Sequence, residues 1–395
     1  MSSCFSPASG GTLLSSIQMK EPCICAGKLV YLCGLFLGRL CGKFIPRATS
    51  AGLIIYKPDG IGDLILATSA IRYILACSDV PVVLFCAKQA AELASSQFPG
   101  TTIEALPGLW TQRKGDWKRA MLHVLRRAPT YKGWDLISLR HQPGPLDHAV
   151  FHILSPRVSY GVASSPLATR ESQGKFRWQF SHSAPYPDEG RPPRELRAHE
   201  AVLAEWAECT EIFRLPPPTL EGFSVVESRS LIVFPTTRSP LRNYPLDQLG
   251  RIITSLVPRR FEGVILCGSP DERSRLEELK SHLPPTCAVH CRVQIPSDVS
   301  EAVRLIASSG AVLAMESAPA HIACALDKPG VFLLGGGHHG FFAPWGNSSY
   351  QKWVTHPLPC YNCNWQCQFP EPYCITRIQP FEISEAISQL LAAKG

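Results

Sequence analysis

Two doubly wound α/β domains in tandem are what this sequence predicts, and three observations carry the prediction. The chain is 395 residues long, more than one hydrophobic core usually organises, so two domains of ordinary size are expected. Short, wholly apolar runs recur along it, as parallel strands covered on both faces require. Stretches of helical periodicity separate those runs, the alternation that builds a parallel sheet. Hydrophobic residues make up 45% and charged residues 18%, which excludes a disordered chain. Lysine and arginine (39) exceed aspartate and glutamate (32), a modest basic excess that suits an anionic substrate or membrane surface. It is too weak for a nucleic-acid binder, and no DNA- or RNA-binding signature is present.

The first domain is read over residues 51–215. Leu53-Ile54-Ile55-Tyr56 is a short strand, Pro58-Asp59-Gly60 is turn chemistry, and Asp63 to Cys77 is helical, with Leu64, Ala67, Ile71 and Ile74 as its buried stripe. Val80 to Cys86 and Asp135 to Leu139 are further strands. Between Ser164 and Arg197 proline, serine, arginine and aromatics follow no period, the composition of a long substrate-binding loop. His199 to Cys209 is helical in character. Pro216-Pro217-Pro218 makes a stiff linker into a second domain over 216–380. Its strands are Leu231–Phe234, Gly263–Cys267, Ala311–Ala314 and Val331–Leu334, with helices at Leu246–Leu256 and Asp298–Ser308. A closing helix, Phe381 to Ala393 within residues 381–395, is expected to pack back on the first domain. No repeat of 20–50 residues is present, which excludes a solenoid.

Residues 1–50 form a separate segment. Leu29 to Gly38 is uncharged and apolar, preceded by Lys28 and followed by Arg39, Lys43 and Arg47. It is too short to span a bilayer. Two readings stand: a basic amphipathic helix lying in a membrane interface, or a hydrophobic helix packed on the first domain. A cleaved signal is disfavoured, because the run starts late, follows Glu21 and lacks a small-residue cleavage site. The 16 cysteines are irregularly spaced, and Cys77, Cys86, Cys267 and Cys324 lie in apolar stretches. They read as reduced thiols of a cytoplasmic protein.

The most informative stretch is Lys57-Pro58-Asp59-Gly60-Ile61-Gly62-Asp63. Open α/β sheets bind ligands beyond the carboxyl ends of their strands, so this turn faces the cleft. Gly60 and Gly62 permit close approach, and Asp63 projects from the first helical turn. On local grounds Asp63 is either a helix cap or a catalyst.

The segment from Lys57 to Thr68 resembles the opening motif of glycosyltransferase family nine, the ADP-heptose:lipopolysaccharide heptosyltransferases. The resemblance implies a GT-B-like architecture, two Rossmann-like domains facing a cleft, with acceptor on the first and nucleotide sugar on the second. It implies that Asp63 is the general base of an inverting transfer that needs no cofactor. Phe234-Pro235-Thr236-Thr237-Arg238 and Arg242-Asn243-Tyr244-Pro245 resemble the family's Thr-Thr turn and Lys-Arg-Trp-Pro-like segment. By that likeness Thr236, Thr237, Arg238 and Arg242 hold donor phosphates, with Arg242 where lysine is usual. Met315 to Leu326 resembles the Asp-Ser-Gly-x-x-His donor motif, through Glu316, Ser317, Ala318 and His321. Glu316 replaces the usual aspartate and Ala318 the usual glycine, and free amides at this helix start are expected to face pyrophosphate. Gly268 to Glu272 resembles a Gly-x-x-x-Glu segment whose Glu272 meets a nucleotide ribose. Leu334 to Gly337 and Pro344-Trp345-Gly346 complete the order and are expected to line the sugar pocket. The implied donor is ADP-heptose. The implied acceptor is a lipid-linked glycan, most commonly a lipopolysaccharide inner-core sugar, met at the inner face of the cytoplasmic membrane.

Cys360-x2-Cys363-x3-Cys367-x6-Cys374 places four thiols within 15 residues. Four thiolates suit a closed tetrahedral zinc or iron site, though the spacing is not that of a standard zinc finger; disulfides and free thiols remain open. Some protein heptosyltransferases related to the family carry a four-cysteine iron site near the carboxyl end, which makes a protein acceptor an alternative. Glu316 and Ala318 leave room for a binding scaffold without turnover, and a nucleotide-sugar epimerase shares the two-domain fold.

Overall fold

The computed structural model describes residues 40, 42–107, 116–140, 143–163, 178–186, 193–226 and 228–394. The apolar segment Leu29–Gly38 and most of the Ser164–Arg197 stretch lie outside the described residues. The first unit runs β1 (Leu53–Lys57), α1 (Ile61–Leu66), α2 (Thr68–Cys77), β2 (Val82–Ala87), α3 (Ala91–Gln97), β3 (Thr102–Leu106), α4 (Asp116–Tyr131), β4 (Asp135–Ser138), α5 (Pro145–Leu154), β5 (Ser159–Val162), β6 (His182–Ala184) and α6 (Arg194–Trp206). The second runs β7 (Ser230–Phe234), α7 (Leu246–Leu256), β8 (Gly263–Cys267), α8 (Arg273–Ser281), β9 (Cys291–Gln294), α9 (Val299–Ala307), β10 (Ala311–Met315), α10 (Ala318–Ala325), β11 (Gly330–Leu333), β12 (Gln351–Val354) and α11 (Pro380–Lys394).

The strands form two six-stranded sheets of order β3-β2-β1-β4-β5-β6 and β12-β11-β10-β7-β8-β9, and their pairings are parallel. The second order repeats the first, started at β7. Each sheet therefore reverses direction once, between β1 and β4 and between β7 and β10, and ligands of such sheets bind at those switch points. Ile55 sits opposite Leu84 and Ile137, and Leu313 opposite Val233 and Val331, so apolar residues fill both faces of the central strands.

The helix expected from Asp63 to Cys77 is two segments. The chain breaks at Ala67, whose N–H still reaches Asp63 O at 3.2 Å, and Ile71 N–H returns to Ala67 O at 2.9 Å. Leu64 and Ile65 of α1 share one apolar cluster with Ala320, Ile322 and Ala323 of α10, so the facing layers of the two units are a single core. The closing helix departs from expectation. Ile383, Ile387 and Leu390 of α11 are buried with Leu231, Val233 and Val331 on the outer face of the second sheet, and not on the first unit. Their spacing makes one helical stripe, and the chain leaving β12 is already on that side. Among the described residues no helix is long and apolar enough to cross a membrane.

Candidate active site

At the carboxyl end of β1 the apolar strand stops on a lysine. The Lys57 side chain is fully buried; its Nζ donates to Leu139 O at 3.1 Å and to the Glu195 carboxylate, and lies 3.2 Å from the Asp59 carboxylate. Burial pulls the Lys57 pKa down, but Asp59, Glu195 and Asp63 outweigh it and raise it above the ordinary range, so the lysine is charged. Glu195 occupies the first turn of α6, where the helix dipole favours an anion. One turn on, His199 Nε2 is 3.0 Å from Leu139 O and 3.4 Å from Glu195. Beside this group Arg140 stands 3.4 Å from both Asp59 and Asp147, and Tyr56 donates to Asp147 at 2.7 Å. Burial pushes the Asp147 carboxyl up to about 6, with Arg140, Tyr56 and the Gly144 N–H opposing.

Asp63 is half-buried at the start of α1, and its Oδ2 accepts the Gly60 N–H at 3.0 Å. Capping therefore occupies one oxygen and leaves a carboxylate with lone pairs to spare. Burial, then Asp59 and Glu195, push its pKa to about 6, against Lys57 and His321. A carboxylate so tuned is a competent general base near neutral pH.

His321 reaches this place from α10 in the other unit. A Cβ built on Gly62 would stand 2.9 Å from His321 Cδ2 and 3.5 Å from the Ala318 Cα, so Gly62 is required by close approach between the two helix starts. Trp345 Nε1 donates to His321 Nδ1 at 2.8 Å and stacks against the ring. Accepting at Nδ1 places the ring hydrogen on Nε2, which lies 3.8 Å from Glu316 Oε1.

On the second sheet, Thr236 Oγ1 at the end of β7 donates to Glu272 Oε1 at 2.7 Å, and Glu272 Oε2 accepts from Ser269 N and Oγ, each at 2.7 Å. The Thr237 N–H bonds Asn243 Oδ1 at 2.6 Å, and its hydroxyl donates to Ser239 O at 2.9 Å. Arg238 is exposed. Arg242 binds both the carboxylate and the carbonyl oxygen of Glu316. Burial would raise the Glu316 pKa; Arg242 and His321 hold it below the usual range. Glu316 is thus the partner of Arg242. The helix start is poorer in amides than expected. Pro319 has no N–H, and Ala320 and His321 donate to Ser317 O at 3.0 and 3.3 Å, which leaves at most the amides of Ser317 and Ala318 for an anion.

The structure therefore brings Gly62 and Asp63 against His321, and Gly62 against Ala318, links Thr236 to Glu272, and ties Arg242 to Glu316. Sequence reasoning missed Glu195, His199, Arg140 and Asp147. The available signal was a lysine closing a wholly apolar strand, and the Glu195/His199 spacing of four.

Cys360, Cys363 and Cys367 are half-buried and Cys374 is buried. Burial raises the Cys374 thiol, and the nearness of Cys363, Cys360 and Cys367 raises it further against a Gly336 N–H. Left-handed backbone at Asn362, Asn364 and Trp365 folds this loop onto Gly335–Gly337. Asn362 N–H bonds Gly336 O at 2.8 Å and Asn364 N–H bonds Gly337 O at 3.1 Å. A Cβ on Gly335 or Gly337 would lie 2.4 Å from Trp365, and on Gly336 2.3 Å from Tyr361. These glycines seat the loop's aromatic rings. Among the described residues no three metal-ligating side chains stand close enough to hold an ion.

Residues 206–370 match the model of glycosyltransferase family 9 (heptosyltransferase). That segment holds most of the second unit, from β7 to β12. The matched segment contains Thr236, Thr237, Arg238, Arg242, Glu272, Glu316 and His321, while Asp63 precedes it. Lipopolysaccharide heptosyltransferase 3 of Escherichia coli is 29% identical over 127 residues, 31% of this chain and 36% of that protein. The chain thus spans about a third of the length of the curated relatives it matches. The ADP-heptose lipopolysaccharide heptosyltransferase II of Escherichia coli superposes with a TM-score of 0.62 at 16% identity, over 87% of this chain and all of that one. The dodecameric iron-containing heptosyltransferase TibC of enterotoxigenic Escherichia coli, in complex with ADP-D-β-D-heptose, superposes with a TM-score of 0.52 at 12% identity, over 89% and 79%. Likeness at these identities is one of fold, and it extends over 87–89% of this chain.

Proposed function

We propose that the protein is an inverting glycosyltransferase that moves a heptose from ADP-heptose to a lipopolysaccharide core sugar or related glycan. The observation that carries this reading is Asp63, half-buried with a carboxyl pushed to about 6 and set against the donor-side helix at His321. Asp63 takes the proton of an acceptor hydroxyl as that oxygen attacks the anomeric carbon from the face opposite ADP. The anomeric C–O bond to phosphate breaks with its electron pair on ADP. Thr236, Thr237, Arg238 and the Ser317 and Ala318 amides are suited to that phosphate charge. Incubation with a panel of nucleotide sugars and glycan acceptors, read by mass spectrometry, tests it: glycosylated acceptor plus free ADP is the expected result. Donor binding without product would favour a scaffold.

The same reading places the enzyme at the inner face of the cytoplasmic membrane. Phe44 and Leu40 are 80% and 45% exposed beside Lys43, and Lys132 Nζ pins this stretch by donating to Gly42 O and Ile45 O. Exposed apolar residues next to cations suit an anionic lipid surface. Deleting residues 1–46 is expected to shift the protein from the membrane to the soluble fraction; unchanged partitioning removes this part.

A second reading, transfer to a protein, is favoured by the gathering of Cys360, Cys363 and Cys367 about Cys374 and by the likeness to the iron-containing TibC. The four thiols fit zinc or iron by donor chemistry, though among the described residues no three of them stand close enough to hold an ion. Such a metal would be structural, since four protein ligands leave no open position. Elemental analysis is expected to find about one zinc or iron per chain; metal-free protein of full activity discards it.

A further inference from the structure

The first turn of α6 joins two places far apart in the sequence. Glu195 is the carboxylate paired with Lys57 beside Asp63. Arg194, one residue earlier and 2% exposed, is committed to the other unit. Its guanidinium donates to Asn362 Oδ1 at 3.0 Å and His339 O at 3.3 Å, and its central carbon lies 3.7 Å over the Phe341 ring. The backbone repeats the connection, for the Arg194 and Glu195 N–H groups donate to Gly340 O and Phe341 O at 2.8 and 2.9 Å. A helix leaves its first amides unpaired, and here two are satisfied by carbonyls of the second unit. Seating that unit and completing the start of α6 are therefore one event.

We propose that Arg194 is a positioning residue for the Asp63 reaction: by clamping the start of α6 to the 338–341 turn and the cysteine loop, it fixes where Glu195 holds Lys57 beside Asp63. This rests on the reading of Asp63 as the base. The charged and titratable groups facing Asp63 are Asp59 and Lys57 from the β1 end, Arg140 from beyond β4, Glu195 from α6 and the His321 imidazole from α10. Releasing α6 withdraws the Glu195 charge and admits water. Both changes lower the Asp63 pKa, which a merely structural role would not move.

The test uses the full chain, Arg194→Met and Arg194→Lys, and ADP-D-β-D-heptose with a lipopolysaccharide-core glycan acceptor as the probe. The Asp63 carboxyl is titrated by 13C NMR, its signal identified by its loss in Asp63→Asn, and turnover and ADP affinity are measured alongside. Arg194→Met is expected to lower kcat about a hundredfold with ADP affinity nearly unchanged, and to lower the titration midpoint by about one unit. Lysine restores part of both, since it keeps a cation over Phe341 but not the fork to Asn362 and His339. If Arg194→Met fails to fold, Arg194→Lys and Glu195→Gln carry the test, and Glu195→Gln moves the midpoint the same way. An unmoved midpoint in the folded variants overturns the proposal. A moved midpoint in a protein that never turns over the probe supports the clamp and sinks the functional reading instead.

Discussion

Asp63→Asn lowers kcat by on the order of a hundredfold to ten-thousandfold, the usual contribution of a positioned base, and leaves the protein no less stable. The asparagine side-chain oxygen still accepts the Gly60 N–H, so the helix start keeps its cap. Stability shifts the other way because the folded-state pKa, about 6, lies above the ordinary carboxyl value. A group raised in this way contributes stability that is present below about pH 4 and is lost as pH rises through 6. At neutral pH the Asp63 charge is thus a burden on the fold, and asparagine removes it. Urea midpoints from pH 7 down to pH 5 are expected to rise in the wild type and to rise less in the variant, with Asp147 supplying the remaining slope. The wild-type kcat/KM profile has its acid limb near 6. Near-normal turnover in the variant removes Asp63 from the base role.

The central strands were legible because burial on both faces leaves a wholly apolar run: β1, β7, β8, β10 and β11 are read from sequence within a residue or two at each end. The edges were not. β3 carries Glu104, held by Tyr131, Arg127 and His123, and β9 and β12 mix polar residues, so neither period nor composition marks them. The start of α6 was hidden in the same way. Pro193 precedes it, and its first residues, Arg194 and Glu195, are polar yet buried through partners more than 130 residues distant. Both site turns were found from motif residues alone, since strand-turn-helix chemistry is local. What joins them is not local: Gly62 against His321, Lys57 with Glu195, and Arg242 with Glu316 are pairings that only the closed fold creates.

Lys57→Met is expected to damage both stability and activity, and the two effects arise from one charge. Lys57 and Glu195 have fully buried side chains, and Asp59 is close by. Deleting one partner of a buried ion pair strands the other and costs about 3–5 kcal/mol, readable as a lowered urea midpoint. Lys57 also opposes the rise of the Asp63 pKa, so its loss sends the acid limb upward from about 6, and activity recovers as pH is raised above neutral. That direction is opposite to the one expected from releasing Glu195, which makes the pair of substitutions diagnostic. The double variant Lys57→Met with Glu195→Gln removes both buried charges and is expected to be more stable than Lys57→Met alone. If Lys57→Met melts like the wild type and keeps its acid limb, the buried lysine neither holds this site together nor sets its base.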